Sequence, residues 1–241
     1  MLLPVFSLLS WLAAPAAPPA ISLQRERDQI YAWLAYAVVY QDWQPTAQPD
    51  SSRGYNIGSV LVNADGYVVH WGRNCINATR NLTQHGEVRL MQSYLQRTRQ
   101  RALRGYTIYT TLEPCAMCSG MMTLTQVTRT VFGQSDPEYG NALQRLQLDS
   151  RACGPGHYGP YPRAVEVSQA PDAVSCAIDS AYDRHRAERI VQFLASAAVR
   201  PLYARAAAQL ARYRAQHPDN QVRLDSARRF LARLPKTEEL R

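Results

Sequence analysis

Between residues 24 and 167, short runs of β-branched and aromatic residues alternate with segments whose apolar residues recur at helical spacing. That alternation restricts the chain to a layered α/β architecture, with helices covering a sheet that has some parallel pairing. The first helix is predicted over 24–40, where Ile30, Trp33, Leu34, Ala37 and Val38 recur at helical spacing. A polar, proline-bearing loop follows at 44–53. Strands are expected at 57–62 and 67–71, joined by Asn63-Ala64-Asp65-Gly66, since Asp-Gly between apolar runs signals a hairpin.

Further along, the pattern predicts a helix over 84–100 with Val88, Met91 and Leu95 inward, then a strand at 106–110. A short helix is expected over 114–124 with Pro114 in its first turn. A strand at 127–132, a short helix at 142–148, a Gly/Pro-rich loop at 154–162 and a last strand at 164–167 complete the frame. From residue 179 the chain is helical in pattern and rich in alanine and arginine. Pro201 and His217-Pro218-Asp219-Asn220 break it into three pieces, and in the middle one Leu202, Ala206, Leu210 and Tyr213 share a face.

Two short motifs lie on this frame, His85-Gly86-Glu87 and Pro114-Cys115-Ala116-Met117-Cys118. Alone, the cysteine pair reads equally as a redox couple or as half of a four-cysteine structural zinc site. A lone histidine near a helix start is usually a surface or cap residue. The four-cysteine reading lacks a second pair, because Cys75, Cys153 and Cys176 are isolated.

Taken together, the motifs fit one design. One imidazole and two thiolates fill three corners of a zinc tetrahedron and leave the fourth for water, the mark of a catalytic site. Cys115 and Cys118 are three apart at a helix N-terminus, where free N–H groups and the helix dipole favour thiolates. Such a site also needs a base that is not a ligand, and Glu87, two residues after His85, is placed to be one.

The combined H-x-E…P-C-x-x-C pattern resembles that of the zinc-dependent cytidine/deoxycytidylate deaminase superfamily, the bacterial tRNA adenosine deaminase type in particular. The resemblance extends through residues 109–118, Val131-Phe132-Gly133, Asp136 and Gly140, and upstream through residues 57–62 and Gly72-Arg73-Asn74. It covers roughly residues 24–195 and implies a three-layer α/β/α cytidine-deaminase-like fold with a mixed five-stranded sheet.

By this resemblance His85, Cys115 and Cys118 bind Zn2+, and Glu87 shuttles a proton from water to the ring nitrogen and then to the departing ammonia. Asn74 matches an asparagine that hydrogen-bonds the base. Ile57 matches an apolar residue on its ring, and Gly86 and Leu112 match backbone positions lining the pocket. Each of these four also has a plain structural reading, as turn, core or helix-start residues. Gly86 stands where the bacterial enzymes usually carry alanine.

The implied activity is hydrolytic deamination of an adenine or adenosine, free or in tRNA. The alternatives are deamination of free cytosine, guanine or their nucleosides, a non-catalytic zinc-binding protein of the same fold, and a secreted toxin acting on nucleic acid. Intact Glu87 argues against the pure binder, and the domain's place directly after the leader argues against the toxin. A homodimer is expected from the resemblance.

Composition weighs on the partner. The formal net charge is +8, yet residues 1–180 hold 14 basic and 13 acidic residues, whereas 181–241 hold 13 and 6. Lys236 is the single lysine among 27 basic residues, a skew that points to coding-sequence composition rather than to selection for phosphate contacts. The basic tail therefore reads first as a solvated helical face and second as an RNA contact.

The resulting organisation is a signal peptide over 1–20, a zinc-dependent deaminase domain over 22–195 and a helical Arg/Ala-rich extension over 196–241. The leader rests on an apolar run over 2–14 and an Ala14-Pro15-Ala16 cleavage-like triplet, although no basic residue precedes the run. A genuine leader would place the protein in the periplasm or outside the cell and would allow Cys153 and Cys176 to pair; otherwise the protein is cytoplasmic. No later apolar run is long enough to span a membrane as a helix.

Overall fold

The computed structural model describes residues 21–185 and 189–236; the expected leader lies outside the described residues. The elements run α1 (Leu23–Tyr40), β1 (Gly58–Val62), β2 (Val68–Arg73), α2 (Gly86–Thr98), β3 (Thr107–Leu112), α3 (Ala116–Leu124), β4 (Arg129–Gln134), α4 (Ala142–Leu146), β5 (Glu166–Gln169), α5 (Ala173–Arg184), α6 (Ile190–Phe193), α7 (Arg200–Arg212) and α8 (Pro218–Arg233). The five strands form one mixed sheet in the order β2-β1-β3-β4-β5. The β1–β2 hairpin and β1–β3 are antiparallel, and β3–β4 and β4–β5 are parallel.

Each face of the sheet has its own apolar core. Leu90, Met91 and Tyr94 of α2 and Met122 of α3 pack with Leu61 and Ile108 on one face. On the other, α1 lies against β1, β3 and β4, with α5 beside it. This is the expected three-layer α/β/α arrangement. Outside it, α7 and α8 pack onto the back of α1 through Tyr203, Ala206 and Leu210 of α7 and Leu224 and Ala227 of α8.

That added layer explains why α1 is buried from Ile30 to Val39 without interruption, instead of on one stripe. Buried polar groups fix its orientation. Trp33 Nε1 donates to Asp172 Oδ1 at 3.1 Å, and Asp172 also caps α5 by accepting from Val174 N and Ser175 N. Asp28 receives the Arg129 guanidinium through both carboxylate oxygens, at 2.6 and 2.9 Å, and the Tyr109 hydroxyl at 2.8 Å.

Glu26, fully buried, accepts from Tyr213 Oη (2.8 Å), Gln216 N (2.5 Å), His217 N (3.2 Å) and Asn220 Nδ2 (2.9 Å). One carboxylate thus clamps the α7–α8 turn to the start of α1. The outer faces of these helices, with Arg205, Arg212, Arg229 and Arg233, are exposed.

Several boundaries differ from the sequence reading. Pro114 is not in the first turn of α3: Cys115 is the N-cap, in an extended conformation, so the proline precedes the helix. β4 runs to Gln134 because it continues pairing parallel to β3 as far as Leu112. Helix α5 starts at Ala173, six residues before the expected 179, because the Asp172 side chain supplies its cap. Pro201 sits in the first turn of α7, where its missing N–H costs nothing, so it opens that helix. Leu202 and Tyr213 are only partly buried, and Tyr203 carries the inner face in their place. Cys153 and Cys176 are free, exposed thiols, so the pairing considered for an exported chain is not formed. Among the described residues no helix is long and apolar enough to cross a membrane.

Candidate metal centre

Two helix starts converge at the end of β3. His85 is the N-cap of α2 and Cys115 the N-cap of α3, both in extended conformation. Neither side chain caps its own helix, so both are free to turn toward a common point. Cys118, one turn into α3, completes the group.

The separations are 3.7 Å from Cys115 Sγ to His85 Nδ1, 3.6 Å from Cys118 Sγ to His85 Nδ1, and 3.7 Å between the sulfurs. A zinc tetrahedron with Zn–N of about 2.0–2.1 Å and Zn–S of about 2.3 Å has N–S edges of about 3.5 Å and an S–S edge of about 3.8 Å. The donors therefore already stand at zinc spacing, and among the described residues they form the one group of three or more His, Cys, Asp or Glu ligands able to meet at a metal.

Glu87, in the first turn of α2, is buried beside them. Its Oε1 accepts from Thr110 Oγ1 of β3 at 2.9 Å, whereas its Oε2 is buried and has no hydrogen-bond partner. Burial raises the Glu87 carboxyl above its ordinary pKa, and the neighbouring His85 only partly offsets that.

Burial disfavours charge on His85, but the Cys115 sulfur and the Glu87 carboxylate outweigh it and lift the imidazole above its usual value. The sulfur–sulfur contact with Cys118, and then His85, draws the Cys115 thiol down to about 4; Cys118 is correspondingly pushed up by Cys115 and by burial. One sulfur of the pair is held as a thiolate by its neighbours, which suits a cation-binding set.

A cavity of about 410 Å³ opens onto His85, Glu87 and Cys115. Ile57 and Leu112 form apolar wall, and Leu82, Met117 and Tyr139 are exposed at its lining. Of the four residues expected to meet a base, Ile57 and Leu112 line this cavity, and Asn74 and Gly86 are buried outside its lining. Asn74 Oδ1 accepts from Tyr55 N (3.1 Å) and Ile76 N (3.3 Å), while its Nδ2 is buried without a partner. At Gly86 the start of α2 meets the hairpin backbone: an added Cβ would lie 2.9 Å from Gly72 O and 3.1 Å from Gly58 Cα.

Other wall residues had no role in the sequence reading. Glu113 accepts from Asp136 N (3.1 Å) and Asn141 N (2.8 Å), and Asp136 Oδ1 accepts from Glu138 N and Tyr139 N, both at 2.9 Å. Two buried carboxylates thereby fix the loop that brings Tyr139 to the cavity. Arg189, Ile190 and Val191 arrive from about fifty residues beyond that loop and carry no local signal.

Comparison with known proteins agrees with this geometry. Residues 39–134 match the cytidine and deoxycytidylate deaminase zinc-binding region. The chain is 34% identical over 102 residues to the tRNA-specific adenosine deaminase of Bacillus subtilis (strain 168), covering 40% of this chain and 63% of that protein. It is 26% identical over 103 residues to the tRNA-specific adenosine deaminase of Aquifex aeolicus (strain VF5), covering 41% and 68%. It is also 31% identical over 124 residues to a tRNA(Ile)-lysidine synthase of Deinococcus deserti, covering 52% and 22%. The chain thus spans between about a fifth and about two thirds of these relatives' lengths.

Proposed function

We propose that this chain, whose residues 39–134 match the cytidine and deoxycytidylate deaminase zinc-binding region, hydrolyses the exocyclic amine from a nucleobase, an adenine or adenosine either free or in tRNA, releasing ammonia. The observation that carries this reading is the unpartnered, buried Oε2 of Glu87 beside three side chains at zinc spacing.

His85, Cys115 and Cys118 would hold the metal. When bound, zinc supplies a Lewis acid that makes water acidic enough to lose a proton near neutral pH. Glu87 takes that proton on Oε2, while Thr110 anchors Oε1 and keeps the carboxylate from rotating away. A carboxyl lifted by burial both accepts and releases protons: it passes the first, taken from water, to the ring nitrogen, and then carries a second, from the hydroxyl added to the ring carbon, to the amine as the C–N bond breaks. Ile57 and Leu112 pack on the faces of the base and exclude water. The Nδ2 N–H of Asn74 has no partner but is buried outside the cavity's lining, so contact with an acceptor on the base requires Asn74 to move.

The names of the relatives favour adenosine in tRNA. The near-balance of charge over residues 1–180 favours the second reading, a free base or nucleoside of cytosine or guanine. The homodimer and the export signal belong to the same proposal, and are read by the mass of the protein in solution and by the N-terminal sequence of the mature chain.

The test is ammonia release by zinc-loaded protein from adenine, adenosine, cytosine, guanine, their nucleosides and tRNA. Turnover of any member supports a deaminase, and activity on RNA alone rejects the small-molecule reading. No ammonia from every member removes the proposal and leaves a metal-binding protein.

A further inference from the structure

The geometry points to a second subsite adjoining the active-site cavity, which takes a phosphate ester carried on the sugar of the substrate, with Arg189 as the residue that selects for it. The inference rests on the deaminase reading for what fills the first cavity.

A recess of about 360 Å³ lies between the loop at 45–49 and the segment from Arg189 to Ser196. Its wall and that of the active-site cavity share Tyr55, Arg189 and Val191, so those three side chains border both spaces. Both fall at the low end of the range for small-molecule sites, about 300–1,000 Å³. None of the shared residues is a metal ligand. A base whose amine faces His85 and the cysteines directs its sugar away from them, because the glycosidic nitrogen and the amine sit on opposite edges of a purine.

The two spaces differ in charge. The first is lined by Glu87, Glu113, Asp136 and Glu138. The recess has no carboxylate in its lining, and Arg189 is its one charged residue. Among the described residues the exposed Arg189 guanidinium makes no ion pair and no side-chain hydrogen bond. Arg53 at the same end of the molecule shows the contrast, since it is held by Asp42 at 2.7 Å.

An unpaired guanidinium beside a carboxylate-free recess recognises an anion with several oxygens. Ser196 adds a buried hydroxyl with no partner, and Gln48 and Gln192 line the same recess with further donors. For a nucleobase derivative the anion that reaches beyond the sugar is a phosphate ester. That ester is either the terminal group of a mononucleotide or the link to the next residue of a nucleic acid.

The test measures equilibrium binding and turnover with zinc-loaded full-length protein. For adenine, cytosine and guanine in turn, the probes are the nucleoside, its 5′-monophosphate and a three-residue RNA centred on it. In the series that binds, the phosphate-bearing probes are expected to bind about fivefold more tightly than the nucleoside, the upper end for an exposed ion pair. Arg189→Gln should collapse that ratio toward one, and Arg189→Lys should restore part of it.

A gain confined to the monophosphate assigns a terminal phosphate, and a gain with the RNA assigns an internucleotide one; both support the subsite. A ratio near one in the unaltered protein in every series, or a ratio that Arg189→Gln leaves standing, overturns it. An equal loss for nucleoside and monophosphate in Arg189→Gln also overturns it, since that would be a structural effect. Phosphate-selective binding without ammonia release would sink the deaminase reading alone. Ammonia released equally from phosphorylated and unphosphorylated substrates, whatever stands at 189, would sink this inference alone.

Discussion

Gly86→Ala tests how closely the chemistry depends on packing one helix start against a hairpin. The added methyl would sit 2.9 Å from Gly72 O and 3.1 Å from Gly58 Cα, and both neighbours are backbone. They cannot yield easily, because Gly58 and Gly72 belong to paired strands in register, Gly58 opposite Arg73 and Ser59 opposite Gly72. The start of α2 must therefore retreat by a few tenths of an ångström. Overpacking of this kind costs about 1–3 kcal/mol, and replacing glycine in the unfolded chain returns about 0.4–1 kcal/mol. The net expected loss is about 1–2 kcal/mol, which for a chain of this size lowers Tm by roughly 2–8 °C.

The same retreat moves the flanking His85 and Glu87. A misplacement of about 1 Å at a reacting centre costs about a hundredfold, so a shift of a few tenths should lower kcat/KM by about tenfold or less. Thermal unfolding of the zinc-loaded variant reads the first effect and ammonia release the second. An unchanged or raised Tm with undiminished turnover would refute the argument that this contact sets the position of the site.

Glu87→Gln keeps the shape and the contact with Thr110 but removes the base; turnover should fall by about 10²–10⁴ while one zinc per chain remains by elemental analysis, and metal loss would contradict its non-ligand role. Cys115→Ala should lose stoichiometric zinc and lower Tm, because the ligand set ties the starts of α2 and α3 together; a full complement of zinc in that variant would mean the wrong ligands are named. Glu26 bears on stability and pH. Burial pushes its carboxyl up, but donation from Asn220, Gln216, Tyr213 and His217 prevails and holds it below its ordinary pKa. Its folded pKa lies below its unfolded one, so its contribution is complete above the ordinary carboxylate value and fades as the pH falls from there through the folded value. Glu26→Gln should cost about 2–4 kcal/mol near neutral pH and flatten the acid side of the stability curve; an acid limb parallel to that of the unaltered protein would count against the clamp.

The sequence alone determined the layered α/β class and singled out the three side chains that stand at zinc spacing. The cause in both cases is local periodicity: a strand's two-residue and a helix's 3.6-residue repeat are written in neighbouring residues, and Cys115 and Cys118 share one turn. His85 and Glu87 were legible because two residues at one helix start can place a ligand and a base side by side. Helix ends were read less well, since the Asp172 cap and the extended Cys115 belong to residues whose conformation depends on what they face.

Tertiary structure decided the rest, through contacts between residues far apart in the chain. Arg189, Ile190 and Val191 join the cavity from the distant C-terminal segment, and α7 and α8 bury α1 on every side from Ile30 to Val39. The packing role of Gly86 was hidden for the same reason: it depends on two other glycines, Gly58 and Gly72, which only the folding of α2 against the β1–β2 hairpin brings within reach.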